Sequence, residues 1–474
     1  MGDEICNLGI FDLARLYRLG EVSPVEVISA HLKRCERLNP PLNAFLAIFH
    51  ESANHSAKAM EALFKAGIDL GPLQGVPVSV KDIIRVRGTQ TTAGSRIFLQ
   101  EPPDQNDAVV VQRLRAAGAI IIGKTNLHEF ASGDPDPTAP FGLVQNPRRI
   151  GYNPGMSSSG AGAAVAAGLG IIAIGTDTGG SIRIPACLCG VCGLKPTTGR
   201  ISMEGIIPLS SSLDTVGPLA RRVSDVAMAF DVCAGQPVKE TWVANQTAAY
   251  SYGQPDGKLC NWRVGVPVGE YFDQLQPGVA SSFRNTLKVL GDLGCQVVDF
   301  DPPGADIMVE LTAIIIQAEG AAYHEQYRDR EELYGANFRE RIFAGREHKA
   351  MAYIHARQRQ LELQQEWLER ANHFDVVVVP SAPVGAPPHG VTAIQIGDVQ
   401  FPYRAVLSRF TRPFNLLGWP ALTVPNGLTS EGLPTGVQIA GPPDSEWRLL
   451  VLGHRLEEAL GLVDKLGIEL YQQV

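Results

Sequence analysis

The first stretch of regular spacing along the chain covers residues 10–38, where apolar positions recur at the intervals of two amphipathic helices. Gly20 marks the predicted end of the first helix. The second begins with Ser23-Pro24-Val25-Glu26, which has the form of a capping box with proline at the first helical position. The apolar stripe of this second helix consists of Val25, Ile28, Leu32 and Cys35.

The spacing then changes from helical to alternating. Val76, Val78 and Val80 alternate with other residues, which predicts a strand that ends at Lys81. Helices and strands follow one another from there on, a pattern that favours an α/β fold. The predicted elements are a helix over 107–117 stopped at Gly118, a strand over 119–122, an Ala-rich helix after Gly160, a strand over 171–174, and further helix–strand pairs near 279–299 and 352–380.

Composition narrows the class of protein. Hydrophobic residues make up 45% of the 474 residues and charged residues 19%, which is ordinary for a globular protein with a large core. The net charge of −8 argues against a nucleic-acid partner. The eight cysteines are too sparse for a disulfide scaffold.

Membrane and targeting signals are weak. No basic segment followed by an apolar one stands at the N-terminus, and the low-polarity stretch 160–175 is shorter than the roughly 20 residues that a membrane span needs. We therefore expect a cytoplasmic protein without a membrane partner.

Three short segments contain candidate catalytic residues. Ser181 follows two glycines in the run 175–185, where exposed backbone N–H groups can hold an oxyanion while the serine attacks a carbonyl. Ser157 lies in a second serine cluster, 155–160, and Lys81 ends the predicted strand. Each has an ordinary structural alternative: a helix N-cap for Ser181, a flexible loop for Ser157 and a surface lysine for Lys81.

These segments occur together with several longer motifs, and the combination resembles the amidase signature family. The resemblance is dense from about residue 76 to 225 and thinner elsewhere. The motifs are Lys81-Asp82, Gly123-Lys124-Thr125-Asn126-Leu127-His128-Glu129-Phe130, Gly190-Val191-Cys192-Gly193-Leu194-Lys195-Pro196-Thr197, Leu213-Asp214-Thr215-Val216-Gly217-Pro218-Leu219-Ala220 and Gly432-Leu433-Pro434-Thr435-Gly436-Val437-Gln438.

The resemblance implies a single α/β domain over residues 1–474, built on a large mixed sheet with helices on both faces. Its signature core would span about 76–225. The polar stretch at about 236–262 is expected to be a surface excursion from that domain.

The resemblance also implies hydrolysis of C–N bonds without a metal or cofactor. Ser181 would be the nucleophile, Ser157 the proton relay, following a cis bond from Met156, and Lys81 the base. A solvated lysine is protonated at neutral pH, so Lys81 needs burial to lower its pKa. The residues expected to donate backbone N–H groups to the oxyanion are Thr178, Gly179, Gly180 and Ser181, and those expected to support the loop are Ser158, Asp177 and Arg183.

The substrate prediction rests on apolar residues beyond the signature region. Met156, Phe414, Leu417 and Trp419 are candidates for the pocket wall. Such a wall favours a small molecule with an uncharged acyl or aryl group, such as a neutral aryl or medium-chain amide, anilide or carbamate, over glutamine or another charged substrate, and ureas stay possible. Further candidates are Ile314, Ile315, Ile316, Phe338 and Ile342.

Other interpretations remain. The chain could be the glutaminase subunit of a tRNA-dependent amidotransferase with partner subunits, although that subunit commonly has tyrosine where Thr198 stands. Residues 118–125 match a P-loop pattern, but 119–122 are themselves a predicted strand. Two partial metal-binding motifs are incomplete. The cysteines 187, 189 and 192 have no second Cys or His pair at zinc spacing, and His128-Glu129 lacks the second histidine of an HExxH motif. A homodimer also stays open.

Overall fold

The computed structural model describes residues 2–235, 259 and 261–467. The predicted excursion at about 236–262 therefore lies almost entirely outside the described residues. The strands are β1 (Phe45–Ile48), β2 (Pro77–Lys81), β3 (Ile120–Thr125), β4 (Ile172–Asp177), β5 (Cys192–Lys195), β6 (Thr215–Ala220), β7 (Arg263–Pro267), β8 (Gln296–Phe300), β9 (Val376–Pro380), β10 (Ala393–Ile396), β11 (Val399–Pro402), β12 (Ala421–Leu428) and β13 (Pro434–Ala440).

Helices surround these strands. In chain order, the α-helices of the described residues are Gly2–Ile5, Ile10–Leu19, Pro24–Leu42, His50–Lys65, Val109–Ala116, Ser159–Ala166, Arg183–Cys189, Val223–Ala234, Glu270–Asp273, Pro277–Asp292, Ala305–His324, Ala336–Phe343, Ala350–Ala371, Tyr403–Leu407, Arg412–Leu416, Glu446–Leu460 and Leu462–Leu466. Short 3₁₀ helices cover Arg96–Phe98, Glu129–Ala131, Glu325–Leu333 and Ala344–Glu347. No helix of the described part of the chain is long and apolar enough to cross a membrane.

One mixed sheet organises the fold. Its eleven strands run in the order β1-β3-β2-β4-β6-β5-β12-β13-β9-β7-β8, and β10 and β11 form a separate pair. β2 is parallel to both β3 and β4, and β7 is parallel to β8 and β9. The remaining neighbours in the large sheet are antiparallel. The predicted α/β class is confirmed.

The structure confirms the predicted end of the first N-terminal helix and the predicted start of the second. Gly20 ends the first predicted helix in a left-handed conformation with φ of 69°, and Ser23 and Glu26 form both hydrogen bonds of the predicted capping box. The strand predicted over 119–122 starts and ends later than expected, because β3 continues to Thr125 beside the parallel strand β2.

The Ala-rich helix Ser159–Ala166 is buried along its whole length. Its small residues are required by close backbone neighbours: a Cβ atom on Gly160 would lie 2.3 Å from the carbonyl oxygen of Ala44. This close packing holds the preceding serine cluster against the sheet. Because β2 and β4 are parallel, their final residues, Lys81 and Asp177, also lie at the same edge.

Candidate active site

Lys81 is completely buried at the end of β2. Its Nζ lies 2.8 Å from Ser157 Oγ and 2.9 Å from Thr176 Oγ1. Burial lowers the pKa of Lys81 to about 7, although the charges of Asp214 and Asp177 oppose this effect. A lysine with such a pKa is partly neutral at physiological pH and can accept a proton.

The serine cluster is attached to two neighbouring segments. The Ser158 N–H donates to the carbonyl oxygen of Ser181 at 3.2 Å, and Ser158 Oγ donates to that of Thr176 at 3.2 Å. The peptide bond from Met156 to Ser157 is cis. Ser157 and Ser181 line the same pocket, so the structure brings the predicted relay and nucleophile together with Lys81.

The loop before Ser181 is organised by one carboxylate. Asp177 accepts hydrogen bonds from the N–H groups of Gly180 at 2.8 Å and Ile182 at 3.1 Å. Gly180 has φ of 123°, and a Cβ atom there would lie 2.2 Å from Thr411 Oγ1. Glycine is therefore the residue that fits this position.

The hydrogen bonds of this loop correct one part of the predicted oxyanion site. The Gly180 N–H is already bound to Asp177 Oδ1 and does not point freely into the pocket. The N–H groups of Thr178, Gly179 and Ser181 form no hydrogen bond within the described part of the chain. These three remain as candidate oxyanion donors.

Arg183 supports the same loop from the other side of Asp177. The two side chains form a fully buried ion pair with two contacts, Nε–Oδ2 at 3.0 Å and Nη2–Oδ1 at 2.9 Å. Burial alone would raise the pKa of Asp177, but the charge and hydrogen bonds of Arg183, together with the hydrogen bond from Asn415, outweigh burial and hold the pKa below its usual value. Asn415 binds both side chains, at 2.8 Å and 2.6 Å.

The pocket wall differs from the predicted apolar one. Met156 and Ile316 do line the pocket, together with Ile184 and Leu209. However, the same pocket is lined by three arginines, Arg341, Arg404 and Arg412. The wall is thus apolar in part, as expected, but it also contains three guanidinium groups that the sequence did not predict.

Phe414, Leu417 and Trp419 lie in the hydrophobic core and not in the pocket wall. Trp419 is fully buried, with its ring centroid 5.9 Å from that of Trp367 and 6.5 Å from that of Phe414. Aromatic side chains of this size gain more from packing against one another than from facing a polar cleft. The apolar residues before β12 were therefore a sign of the hydrophobic core and not of the pocket wall.

The residues behind the alternative interpretations have structural roles. Lys124, which belongs to the P-loop pattern, lies inside β3 and forms a buried ion pair with Asp82 at 3.1 Å. Glu129 accepts hydrogen bonds from Ser95 Oγ at 2.6 Å and the Gly335 N–H at 2.9 Å. The three closely spaced cysteines, 187, 189 and 192, are buried free thiols, and no group of three or more potential metal ligands occurs among the described residues.

Sequence reasoning missed several residues of the site. Thr176 binds Lys81, and it stands one residue before Asp177 in the glycine-rich run 175–185. Asn415 lies beside Phe414, yet its contacts to the ion pair depend on packing between distant segments. Nothing in the local sequence around Arg341, Arg404 and Arg412 indicated that they line the pocket, apart from their charge in mostly apolar segments.

Comparison with known proteins agrees with this arrangement. A family model described as Amidase matches residues 26–450. The chain belongs to the amidase family. A solved amidase structure superposes with a TM-score of 0.87 at 32% identity, covering 96% of this chain and 100% of that one.

Other members of the amidase family are similar over nearly the full length. A glutamyl-tRNA(Gln) amidotransferase subunit of Symbiobacterium thermophilum is 37% identical over 468 residues, which cover 92% of this chain and 94% of that protein. The structure of a 6-aminohexanoate cyclic dimer hydrolase with its substrate has a TM-score of 0.85 at 28% identity, covering 98% and 100% of the two chains. This amidase is thus an enzyme that acts on C–N bonds.

Proposed function

We propose that this amidase hydrolyses a carboxylic amide through an acyl-enzyme on Ser181. The observation that carries the proposal is the 2.8 Å contact between Lys81 Nζ and Ser157 Oγ, in a pocket that Ser157 shares with Ser181. A buried lysine with a pKa of about 7 can act as a base, and the Ser157 hydroxyl is placed to connect it to the nucleophile.

In the first step, neutral Lys81 takes the proton of Ser157 while Ser157 takes that of Ser181. The Ser181 oxygen forms a bond to the carbonyl carbon, and the carbonyl oxygen becomes an oxyanion. The free N–H groups of Thr178 and Gly179, and that of Ser181 itself, stabilise this charge.

In the second step, the C–N bond breaks and the proton returns from Lys81 through Ser157 to the leaving nitrogen. An amine leaves as a neutral molecule because its anion is a very poor leaving group. Water then attacks the Ser181 ester, with its proton passing along the same relay, and releases the carboxylic acid.

The direct test is Ser181→Ala, which deletes only the attacking oxygen. We expect turnover of the substrate to fall at least about 10³-fold while the fold is retained. An acylating or phosphonylating reagent should add one mass increment to the wild type, on the peptide that contains Ser181. The exposed Ser281 gives a matched control, since Ser281→Ala should keep full activity and labelling. A label on another residue would overturn the assignment.

A second candidate function is the amide-donating subunit of a larger amidotransferase. It is favoured by the 37% identity to the amidotransferase subunit of Symbiobacterium thermophilum over 92% of this chain. Such a subunit would take ammonia from glutamine and would work with partner proteins. Glutamine hydrolysis that appears only after partner subunits are added would favour this candidate, whereas hydrolysis of simple amides by the purified chain alone would favour the first.

A further inference from the structure

The pocket beside Ser181 contains an unusual concentration of positive charge. Three arginine side chains line it, and each belongs to a different helix. They are Arg341 in Ala336–Phe343, Arg404 in Tyr403–Leu407 and Arg412 in Arg412–Leu416. Arg412 packs against the loop of the nucleophile, because a Cβ atom on Gly179 would lie 3.4 Å from its Cγ.

One carboxylate accompanies these three cations. Asp134 pairs with Arg404 at 3.0 Å. Arg341 donates to the Ser132 hydroxyl at 2.9 Å. Neither Arg341 nor Arg412 forms an ion pair within the described part of the chain, and Arg412 is only 7% exposed. A buried arginine without a partner is costly, so a ligand that supplies negative charge compensates for it.

The guanidinium groups also act on one another. Burial lowers the pKa of Arg341, and the charges of Arg404 and Arg412 lower it further, against a smaller opposing effect of the Asp134 charge. Burial, followed by the charge of Arg404, lowers the pKa of Arg412 to about 10. Arg412 is still protonated at neutral pH, and a bound anion would relieve the repulsion between the arginines.

The described residues that line this pocket provide no negative charge. Among the described residues that line this pocket there is no aspartate or glutamate. A free amino acid such as glutamine carries an ammonium group as well as a carboxylate, and that ammonium would enter the pocket without a counter-charge. Arginine, in contrast, binds a carboxylate with two parallel hydrogen bonds.

We infer that the amide substrate carries a carboxylate, bound by Arg412 and its neighbouring arginines, and lacks an ammonium group. The half-amide of a dicarboxylic acid is the simplest member of this class. The inference rests on the proposed function, since it concerns the substrate of the same serine. It replaces the neutral substrate that the apolar residues of the sequence suggested.

Binding to Ser181→Ala tests the inference without any turnover. Glutaramate, pentanamide and L-glutamine have the same five-carbon chain, and they differ in the carboxylate and the ammonium group. A second pair, N-acetylglycine and N-ethylacetamide, places the carboxylate on the amine side. By calorimetry, we expect at least one carboxylate to bind about 10- to 100-fold tighter than its neutral partner, and glutaramate to bind tighter than glutamine.

Arginine variants in the Ser181→Ala background locate the binding group. Arg412→Gln should reduce the preference for the carboxylate over its neutral partner by about tenfold or more, and Arg412→Lys should retain part of it. Arg409→Gln is a matched control from the same segment, because Arg409 donates to the carbonyl oxygen of Tyr271 and does not line the pocket. The comparison of charged and neutral ligands uses Ser181→Ala alone, so it tests the inference even if an arginine variant fails to fold.

The outcomes separate this inference from the proposed function. Equal binding of charged and neutral partners, tighter binding of glutamine than of glutaramate, or no measurable binding would overturn the inference. A carboxylate preference that persists in Arg412→Gln would overturn the role of Arg412. Inactivity of the wild type toward all these amides, with binding as expected, would instead contradict the proposed hydrolysis and leave the anionic ligand supported.

Discussion

Asp177 and Arg183 form a buried ion pair with two contacts across the loop that carries Ser181. The carboxylate orders the backbone at Gly180 and Ile182, and the guanidinium reaches the carbonyl oxygen of Thr411 at 2.9 Å. The pair therefore connects the loop that carries Ser181 to the segment that supplies Arg412.

Arg183→Met should destabilise the protein strongly, because it leaves the Asp177 carboxylate buried without its partner. We expect the free energy of unfolding to fall by about 3–5 kcal/mol, measured by urea denaturation. The exposed Arg339 provides the control, since Arg339→Met should change stability by less than about 0.5 kcal/mol. A loss of similar size in both variants would contradict a special role for the pair.

Activity should rise with pH through about 7. Lys81 accepts a proton only in its neutral form, and burial has lowered its pKa to about 7. Below that pH most of the lysine is protonated and kcat/KM is low; above it the neutral form dominates and the rate reaches a plateau. Measurements between pH 5.5 and 9 should fit one ionisation. A rate that falls over this range in folded protein would exclude lysine as the base.

Lys81→Met and Ser157→Ala should each lower kcat by about 10²- to 10⁴-fold. The double variant should lose little more than the worse single variant, because both residues serve one proton relay. Steady-state kinetics of the four proteins, including the wild type, measures this. If the two losses multiply, the residues act independently. The control is Ser211→Ala, a change at an exposed serine, which should leave kcat unaltered.

Lys124→Met should lower the free energy of unfolding by about 3–5 kcal/mol, because Lys124 has a structural role and does not bind a nucleotide. The reason is that its partner Asp82 is left as an unpaired buried charge. The double variant Asp82→Asn/Lys124→Met should therefore lose less than the sum of the single changes. We expect no heat of ATP binding to the wild type. Saturable binding that disappears in Lys124→Met would instead support the P-loop interpretation.

Local patterns predicted the parts of the fold that depend on neighbours in sequence. The capping box at Ser23 and the strand that delivers Lys81 are read from a few consecutive residues, and the structure contains both. The length of β3 was underestimated, because its extension to Thr125 is supported by pairing with β1 and β2.

The pocket could not be predicted in the same way. Arg341 and Arg412 meet beside Ser181 through the packing of separate helices, and no local spacing records that. Phe414 and Trp419 show the opposite error, since apolar residues near a site segment also fit the core. The missing information was the direction in which each side chain points.

The order of strands in the sheet has a consequence for synthesis on the ribosome. β12 and β13 are the last strands of the described residues, yet they lie between β5 and β9 in the middle of the sheet. Until residues 421–440 leave the exit tunnel, β5 and β9 each have an unpaired edge, and unpaired edges attract other strands. The newly made chain therefore depends on residues 421–440 to close the sheet, and a product truncated before β12 carries two unpaired strand edges that the folded sheet buries.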